Sequence, residues 1–222
     1  MNYYDFENAF SAARMNRYKE ACEGDTDRAL ALYWLNVKLC QQFYGIINVF
    51  EIVLRNAIDR HYSARFNNRD WIYSQLQEGG MLEYAPQRKE VMEKAVLMKE
   101  AGRYSPDRLV ASVSFGFWAY MFTKVPFRLG GQSLLHVFPE RAKGTAQKNV
   151  YKELQEIKRF RNRIAHHEPV CFNAEGRKCI VYAQSCYTLI LKYLLFLGYD
   201  QEELLLGLEV MPDKIMESVA RL

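Results

Sequence analysis

The sequence predicts an all-α protein, and three observations carry that prediction. Long segments repeat apolar residues at steps of three and four, which is the period of an α-helix. No segment alternates apolar and polar residues over the length of a strand. The six prolines and twelve glycines stand mostly alone, so they divide the chain into a few long elements. We expect a helical bundle with additional N-terminal and C-terminal helices.

The clearest helix follows the residues EGDTD, where Asp25 or Thr26 can cap its first turn. From Leu32 to Ala57, apolar residues form one stripe across about seven turns. A second helix, from about Pro86 to Ala101, is rich in Glu and Lys and should therefore be exposed.

The middle of the chain predicts one more helix and then a connector. Ser105 can cap a helix whose first residue is Pro106, and that helix should end before Pro126. The segment LGGQSLLHVFPERAKGTA contains a Gly-Gly pair and no regular period, so it predicts a connector with a short helix at most.

The last third predicts a motif helix from near Thr145 to about His167, because Pro169 cannot continue the hydrogen-bond ladder. Asn173 can cap the next helix, and a short helix near Pro212 should close the chain. We expect one domain over residues 1–222, with an N-terminal helix in 1–25, early helices in 26–125, the motif helix and its successor in 145–200, and C-terminal helices in 201–222.

Composition limits the function classes. The 30 Lys and Arg residues against 26 Asp and Glu give a net charge of +4, which permits a polyanionic partner without requiring one. The odd number of cysteines, five, and the absence of a C-x-x-C pair favour reduced thiols. The most apolar run, CYTLILKYLLFLGY, is too short for a membrane span and contains a lysine, so we expect a soluble, cytoplasmic protein without a membrane partner.

The segment FRNRIAHHEP concentrates the residues that could carry chemistry, at the C-terminal turn of the motif helix. Asn162 and His166 are four residues apart and share a helix face, whereas Arg161 and His166 are five apart and diverge by about 140° on a regular helix. The two could still meet at one phosphate if the last turn unwinds or tightens. Imidazole can then move a proton while guanidinium stabilises phosphoryl charge, and Asn162 can orient the ring through a hydrogen bond. This chemistry needs no cofactor and no metal.

Two other interpretations of the segment remain open. Its basic residues can simply complement the helix dipole and cap the last carbonyls. A metal site built from His166, His167 and Glu168 is disfavoured, because consecutive helical residues point about 100° apart and no known ligand spacing is present.

The sequence of this segment resembles a known protein family. Arg161, the asparagine after it and His166 resemble the R-x4-6-H motif of HEPN-domain ribonucleases. Together with FEIVLRNAIDRHY and FGFWAYM, in the same order, the segment RNRIAHHEP is similar to the Abi-like branch associated with bacterial abortive infection.

The resemblance implies a HEPN-like bundle and a metal-independent endoribonuclease, a toxin or antiviral effector that works as a homodimer on RNA. It leaves room for an antitoxin or regulatory protein as a further partner. Arg161, Asn162 and His166 would take the catalytic positions. The alternative is a non-catalytic module of the same fold that binds RNA or protein.

Further residues could support the motif. Lys158, Arg163 and His167 are placed to contact phosphates. Glu51, Arg55 and Asp59 recur at steps of four, so they form either an ion-pair ladder or a buried polar set in which Glu51 and Arg55 support Arg161. The three tryptophans, Trp34, Trp71 and Trp118, should mostly serve packing rather than base stacking.

Overall fold

A computed structural model describes residues 2–208 and 212–222, and within them the chain is all-α, as predicted. The only β-type pairing in the described chain is an isolated bridge between Phe172 and Lys178. Short 3₁₀ helices cover Leu134–Val137 and Leu206–Leu208. The α-helices are α1 (Tyr3–Phe10), α2 (Ala12–Ala21), α3 (Thr26–Arg65), α4 (Trp71–Gln75), α5 (Arg88–Glu100), α6 (Pro106–Ser112), α7 (Phe115–Tyr120), α8 (Lys124–Leu129), α9 (Gln147–Ala165), α10 (Val181–Phe196), α11 (Gln201–Leu205) and α12 (Pro212–Arg221).

The long early helix is confirmed together with its cap. The Oδ1 atom of Asp25 accepts hydrogen bonds from the backbone N–H groups of Asp27 and Arg28, both at 3.0 Å, so two donors of the first turn of α3 are satisfied. The helix then runs 40 residues, to Arg65. The exposed helix predicted near Pro86 is α5, and the closing helix predicted near Pro212 is α12.

The helix predicted to start at Pro106 is shorter than expected. The hydroxyl of Ser105 caps it by accepting from the Arg108 N–H, as predicted. The backbone becomes extended at Val113, and a new helix, α7, follows. Pro126 does not lie beyond a helix end but in the first turn of α8, where its missing N–H has no intrahelical acceptor to lose. The connector after α8 contains only the short 3₁₀ turn Leu134–Val137.

One predicted cap is wrong. Asn173 does not start a helix, because α10 begins only at Val181. The Asn173 side chain instead accepts from the N–H of Arg177 at 2.8 Å, and its own N–H donates to the Arg177 carbonyl at 3.0 Å. Asn173 therefore closes the tight turn beside the bridge, the other common use of asparagine.

The described chain divides into two compact units. Unit 1 comprises Met1–Val49, Arg159–Leu191 and Gln201–Leu222, and unit 2 comprises Phe50–Lys158 and Lys192–Asp200. The expectation of a single domain stays a prediction.

Unit 1 has its own hydrophobic core. Tyr18 lies in it, with its ring 5.3 Å from that of Tyr33 and 5.1 Å from that of Phe172. In the same unit, the ring of Phe160 from α9 packs 4.8 Å from that of Phe43. The N-terminal helices α1 and α2 thus belong to the same core as the segment that follows the motif helix. Buried members of this core include Tyr3, Phe6, Met15, Tyr18, Cys22, Leu32, Tyr33, Cys171, Phe172 and Val219.

Unit 2 has a core rich in aromatic rings. Trp71 and Trp118 are fully buried, as expected for packing residues, and the indole N–H of Trp71 donates to Asp59 at 2.8 Å. The ring of Phe138 packs 5.3 Å from that of Tyr193, whose hydroxyl donates to Glu153 at 2.6 Å.

Among the described helices, α3 is long and apolar enough to cross a membrane. Helix α10 and residues 201–208 reach that length and apolarity only if the bent pair is counted as one span. A core helix of a soluble protein has the same properties, so this is a weak indication of a span. Cytoplasmic location stays a prediction.

Candidate functional site

The motif helix α9 ends in a regular two-bond cap. The His166 N–H still donates to the Asn162 carbonyl at 2.9 Å, so α-helical geometry continues to that residue. The next two N–H groups turn back, from His167 to Ile164 at 3.0 Å and from Glu168 to Arg163 at 2.8 Å. This is the Schellman arrangement, which satisfies carbonyls that a helix end otherwise leaves open. The motif therefore lies at the C-terminal end of α9, as its position before Pro169 predicted, and the cap closes the last turn, which the sequence had left free to unwind or tighten.

His167 occupies the left-handed position of this cap, with φ of +57°. Glycine is the usual residue there, because a Cβ atom costs free energy in the left-handed region, although histidine is among the residues found there more often than most. His167 is exposed, and strain of this kind recurs at functional sites.

Arg161 and His166 are both exposed, on a helix that stays regular between them. Their Cα–Cβ directions therefore differ by about 140°, and their Cα atoms are separated by about 7.5 Å along the helix axis. The last turn does not unwind before His166, and the departure from helical geometry begins one residue later. Convergence of the two side chains on one phosphate in the same chain thus depends on the reach of the arginine.

Asn162 is half-buried and participates through its backbone carbonyl, which accepts from His166. Among the described residues, the Asn162 side chain makes no hydrogen bond to the His166 ring. The predicted orienting bond is therefore not formed. A four-residue spacing places the two side chains on one helix face, but it does not by itself bring the amide within hydrogen-bond distance of the ring.

Arg163 serves the chain's own backbone. Its guanidinium donates to the carbonyls of Pro169 and, at 3.3 Å, of Phe172, and it lies 5.6 Å from the centre of the Tyr182 ring. The Glu168 carboxylate is 3.8 Å from its Nε. These contacts fasten the segment after the motif to α9, so the predicted contact of Arg163 with RNA phosphate would have to compete with them.

Two residues that sequence reasoning missed hold the same segment. Asn36, the one buried polar side chain of the described chain, accepts a hydrogen bond from the Val170 N–H at 2.9 Å. Arg14 of α2 donates to the His167 carbonyl at 3.0 Å. Asn36 had a sequence signal, since it interrupts the apolar stripe of α3 one turn after Leu32. Arg14 had none, because its acceptor is a backbone atom far along the chain.

The thiols near the segment are not nucleophiles at neutral pH. Burial raises the pKa of Cys40 to about 11, although Arg163 and a backbone hydrogen bond with Val170 pull it down. Burial likewise raises the pKa of Cys171 to about 12. Because a thiolate is the reactive form of cysteine, both residues act as packing groups.

The remaining predicted residues belong to unit 2. The Lys158 ammonium lies against Gly116, where an added Cβ would be 3.2 Å from Nζ. Glu51 and Arg55 are half-buried, and Arg55 makes no ion pair with the described residues. Asp59 is instead engaged by Trp71, so the ion-pair ladder does not form. Support of Arg161 by Glu51 and Arg55 stays a prediction.

Within the described residues, no three His, Cys, Asp or Glu side chains are grouped as metal ligands would be. Trp34 is the one tryptophan with a large exposed fraction, 46 %, and its ring packs 5.7 Å from that of Phe6. Its exposed edge leaves base stacking open for this residue.

Comparison with known proteins gives no match for this chain among family models, curated proteins or solved structures.

Proposed function

We propose that the chain is a metal-independent endoribonuclease of the HEPN type, with the end of α9 as its catalytic centre. The observation that carries the proposal is the exposed pair Arg161 and His166 on a helix end whose geometry is fixed by a Schellman cap. The resemblance of RNRIAHHEP, FEIVLRNAIDRHY and FGFWAYM to Abi-like proteins supports the same activity. A toxin or antiviral role in the cytoplasm belongs to this proposal.

The reaction follows from the residues. The RNA 2′-hydroxyl attacks the adjacent phosphorus and gives its proton to one imidazole. The bond to the 5′-oxygen breaks, and that oxygen takes a proton from a second imidazole, which leaves a 2′,3′-cyclic phosphate and a 5′-hydroxyl. Arg161 stabilises the charge that develops on the phosphoryl oxygens.

The functional unit is a symmetric homodimer in this proposal. One chain offers a single histidine at the motif position, His166, and its Arg161 leaves the helix in a different direction. A two-fold axis beside the end of α9 would bring an arginine and a second histidine from the other chain. The two arginines and histidines would then surround one phosphate and raise the local positive potential.

The alternative is a non-catalytic module that binds RNA or protein. It is favoured by the divergence of Arg161 and His166 and by the structural use of Arg163. A comparison of neighbouring histidines separates the two functions. His166→Asn should lower the cleavage rate by a factor of about 10² to 10⁴, while His167→Asn, which keeps a residue tolerant of the left-handed position, should change it less than about tenfold. Cleavage by His166→Asn at the wild-type rate would exclude His166 as the catalytic group, and RNA binding without cleavage by the wild type would leave only the binding function.

The dimer is tested by mixing. Arg161→Ala chains and His166→Ala chains, each inactive alone, are combined and assayed for cleavage. A shared site holds one intact arginine and one intact histidine in the heterodimer, so partial activity should return. A strictly monomeric protein that is fully active at nanomolar concentration would rule out the shared site.

A further inference from the structure

The C-terminal end of α3 gathers basic side chains that the proposed reaction does not use. His61 and Arg65 lie one helical turn apart on α3, and the third, His136, lies on the 3₁₀ turn Leu134–Val137. The rings of His61 and His136 are 6.4 Å apart and nearly perpendicular. These three residues and the hydroxyl of Ser133 all belong to unit 2.

A sharp backbone turn shapes this place. The Nε2 atom of His61 is 2.9 Å from the Ser133 hydroxyl, which also lies 3.3 Å from the Gly130 carbonyl. Gly131 has φ of +82°, and a Cβ atom on it would overlap the Arg65 guanidinium. Glycine is thus required for two reasons, the left-handed backbone and the close approach of the arginine. The Arg65 guanidinium therefore packs against the turn that also carries Ser133.

The positive charge here is not compensated from within the chain. Among the described residues, neither His61, Arg65 nor His136 has a carboxylate partner. Burial lowers the pKa of His61, and the charges of His136 and Arg65 lower it further. Basic groups held together at such a cost are typical of sites that receive an anion.

A second hydroxyl, that of Tyr62, is buried beside the same turn. Tyr62 is fully buried next to His61, and its hydroxyl finds no hydrogen-bond partner among the described residues. It lies where a Cβ atom on Gly130 would be, directly below the turn. A buried hydroxyl without a partner is unusual in folded proteins, so the hydroxyl of Tyr62 is left able to donate.

We propose that a phosphoryl group binds beside the C-terminal end of α3. Its ligands are His61 and Arg65 of α3 together with Ser133 and His136 at the 3₁₀ turn, and we call these four residues the α3-end cluster. Guanidinium recognises phosphate oxygens through paired hydrogen bonds, and an imidazole N–H adds a donor whether or not the ring is charged. The phosphate can be a free phosphate or phosphomonoester, or a phosphodiester of an RNA backbone.

The test follows the imidazole resonances of His61 and His136 in the full chain by NMR. Inorganic phosphate is titrated against chloride at equal ionic strength, and a saturable shift of both resonances is expected. Arg65→Gln should raise the phosphate Kd about tenfold or more, because a charge-assisted pair is lost. Arg60→Gln removes an exposed arginine of the same helix and should leave Kd within about twofold. His136→Gln is a second variant that should also weaken binding.

A 2′-O-methyl oligonucleotide without a terminal phosphate distinguishes the sources, since it offers only phosphodiesters and cannot be cut through a 2′-hydroxyl. If the oligonucleotide shifts the two resonances, the shift is weakened in Arg65→Gln, and inorganic phosphate causes no shift, the ligand is an RNA backbone. If only inorganic phosphate does so, the ligand is a free phosphate or phosphomonoester. Absence of a saturable shift with both probes, or equal loss in Arg60→Gln and Arg65→Gln, would overturn the site. The readout does not depend on ribonuclease activity.

Discussion

The two arginines that flank Asn162 should have opposite roles, and the same substitution at both positions tests this. Arg163 is only 25 % exposed in its side chain and binds two backbone carbonyls, whereas Arg161 is exposed. Arg163→Gln should therefore lower the free energy of unfolding, while Arg161→Gln should lower the cleavage rate and leave stability nearly unchanged.

The magnitude follows from the contacts of Arg163. A hydrogen bond from a charged donor contributes about 1.5–3 kcal/mol, and a cation lying over an aromatic ring about 0.5–2 kcal/mol. The contributions are not additive, and the ordered side chain loses entropy, so we expect a total loss of about 2–4 kcal/mol. For a chain of this length, that loss lowers Tm by roughly 5–15 °C.

Urea unfolding followed by circular dichroism at 222 nm measures the loss, with wild type and Arg161→Gln run in parallel. Arg161→Gln should cost clearly less, since substitutions at exposed positions usually change the free energy of unfolding by about 0.5 kcal/mol or less. The assignment of Arg163 would be refuted by an Arg163→Gln variant as stable as Arg161→Gln. Cleavage by the two variants at a temperature where both are folded should show the reverse order, with Arg161→Gln the slower enzyme.

Three further predictions concern single residues. Asn36→Ala should destabilise the chain by about 2–3 kcal/mol in urea unfolding, because the buried Val170 N–H loses its acceptor; an unchanged midpoint would contradict this. His167→Gly should raise the free energy of unfolding by about 1 kcal/mol, since glycine fits the left-handed cap, and a loss of stability would show that the ring makes an unrecognised contact. Because the pKa of His61 is lowered in the folded chain, the unfolded chain binds more protons, and the free energy of unfolding should fall as pH drops below about 6.5. Urea unfolding at pH 5.5 and 7.5 should show a smaller difference between the two pH values for His61→Gln than for wild type.

The helices were predictable where one physical signal dominated. The apolar stripe of α3 and the caps at Asp25 and Ser105 are local patterns, and the structure follows them. The break at Val113 was not predicted, because the residues on both sides of it are compatible with a helix. Asn173 misled for the opposite reason, since asparagine suits both a helix cap and a tight turn.

The candidate site shows the same division. Its location at a helix end followed from Pro169, and its residue types followed from the segment itself. The fastening of the segment by Arg14 and Arg163 could not be foreseen, because their acceptors are backbone carbonyls that carry no residue signature. The hydrogen bond expected from Asn162 to His166 was wrong, because helical spacing sets the positions of the two Cβ atoms and not the conformations that would bring the amide to the imidazole.

The most direct test of the ribonuclease proposal is incubation of the purified protein with a defined RNA in excess chelator, with analysis of the product ends. We expect cleavage that the chelator does not slow, products with 2′,3′-cyclic phosphate and 5′-hydroxyl ends, and loss of this cleavage in His166→Asn. Intact RNA after prolonged incubation, or cleavage that continues unchanged in His166→Asn, would contradict it.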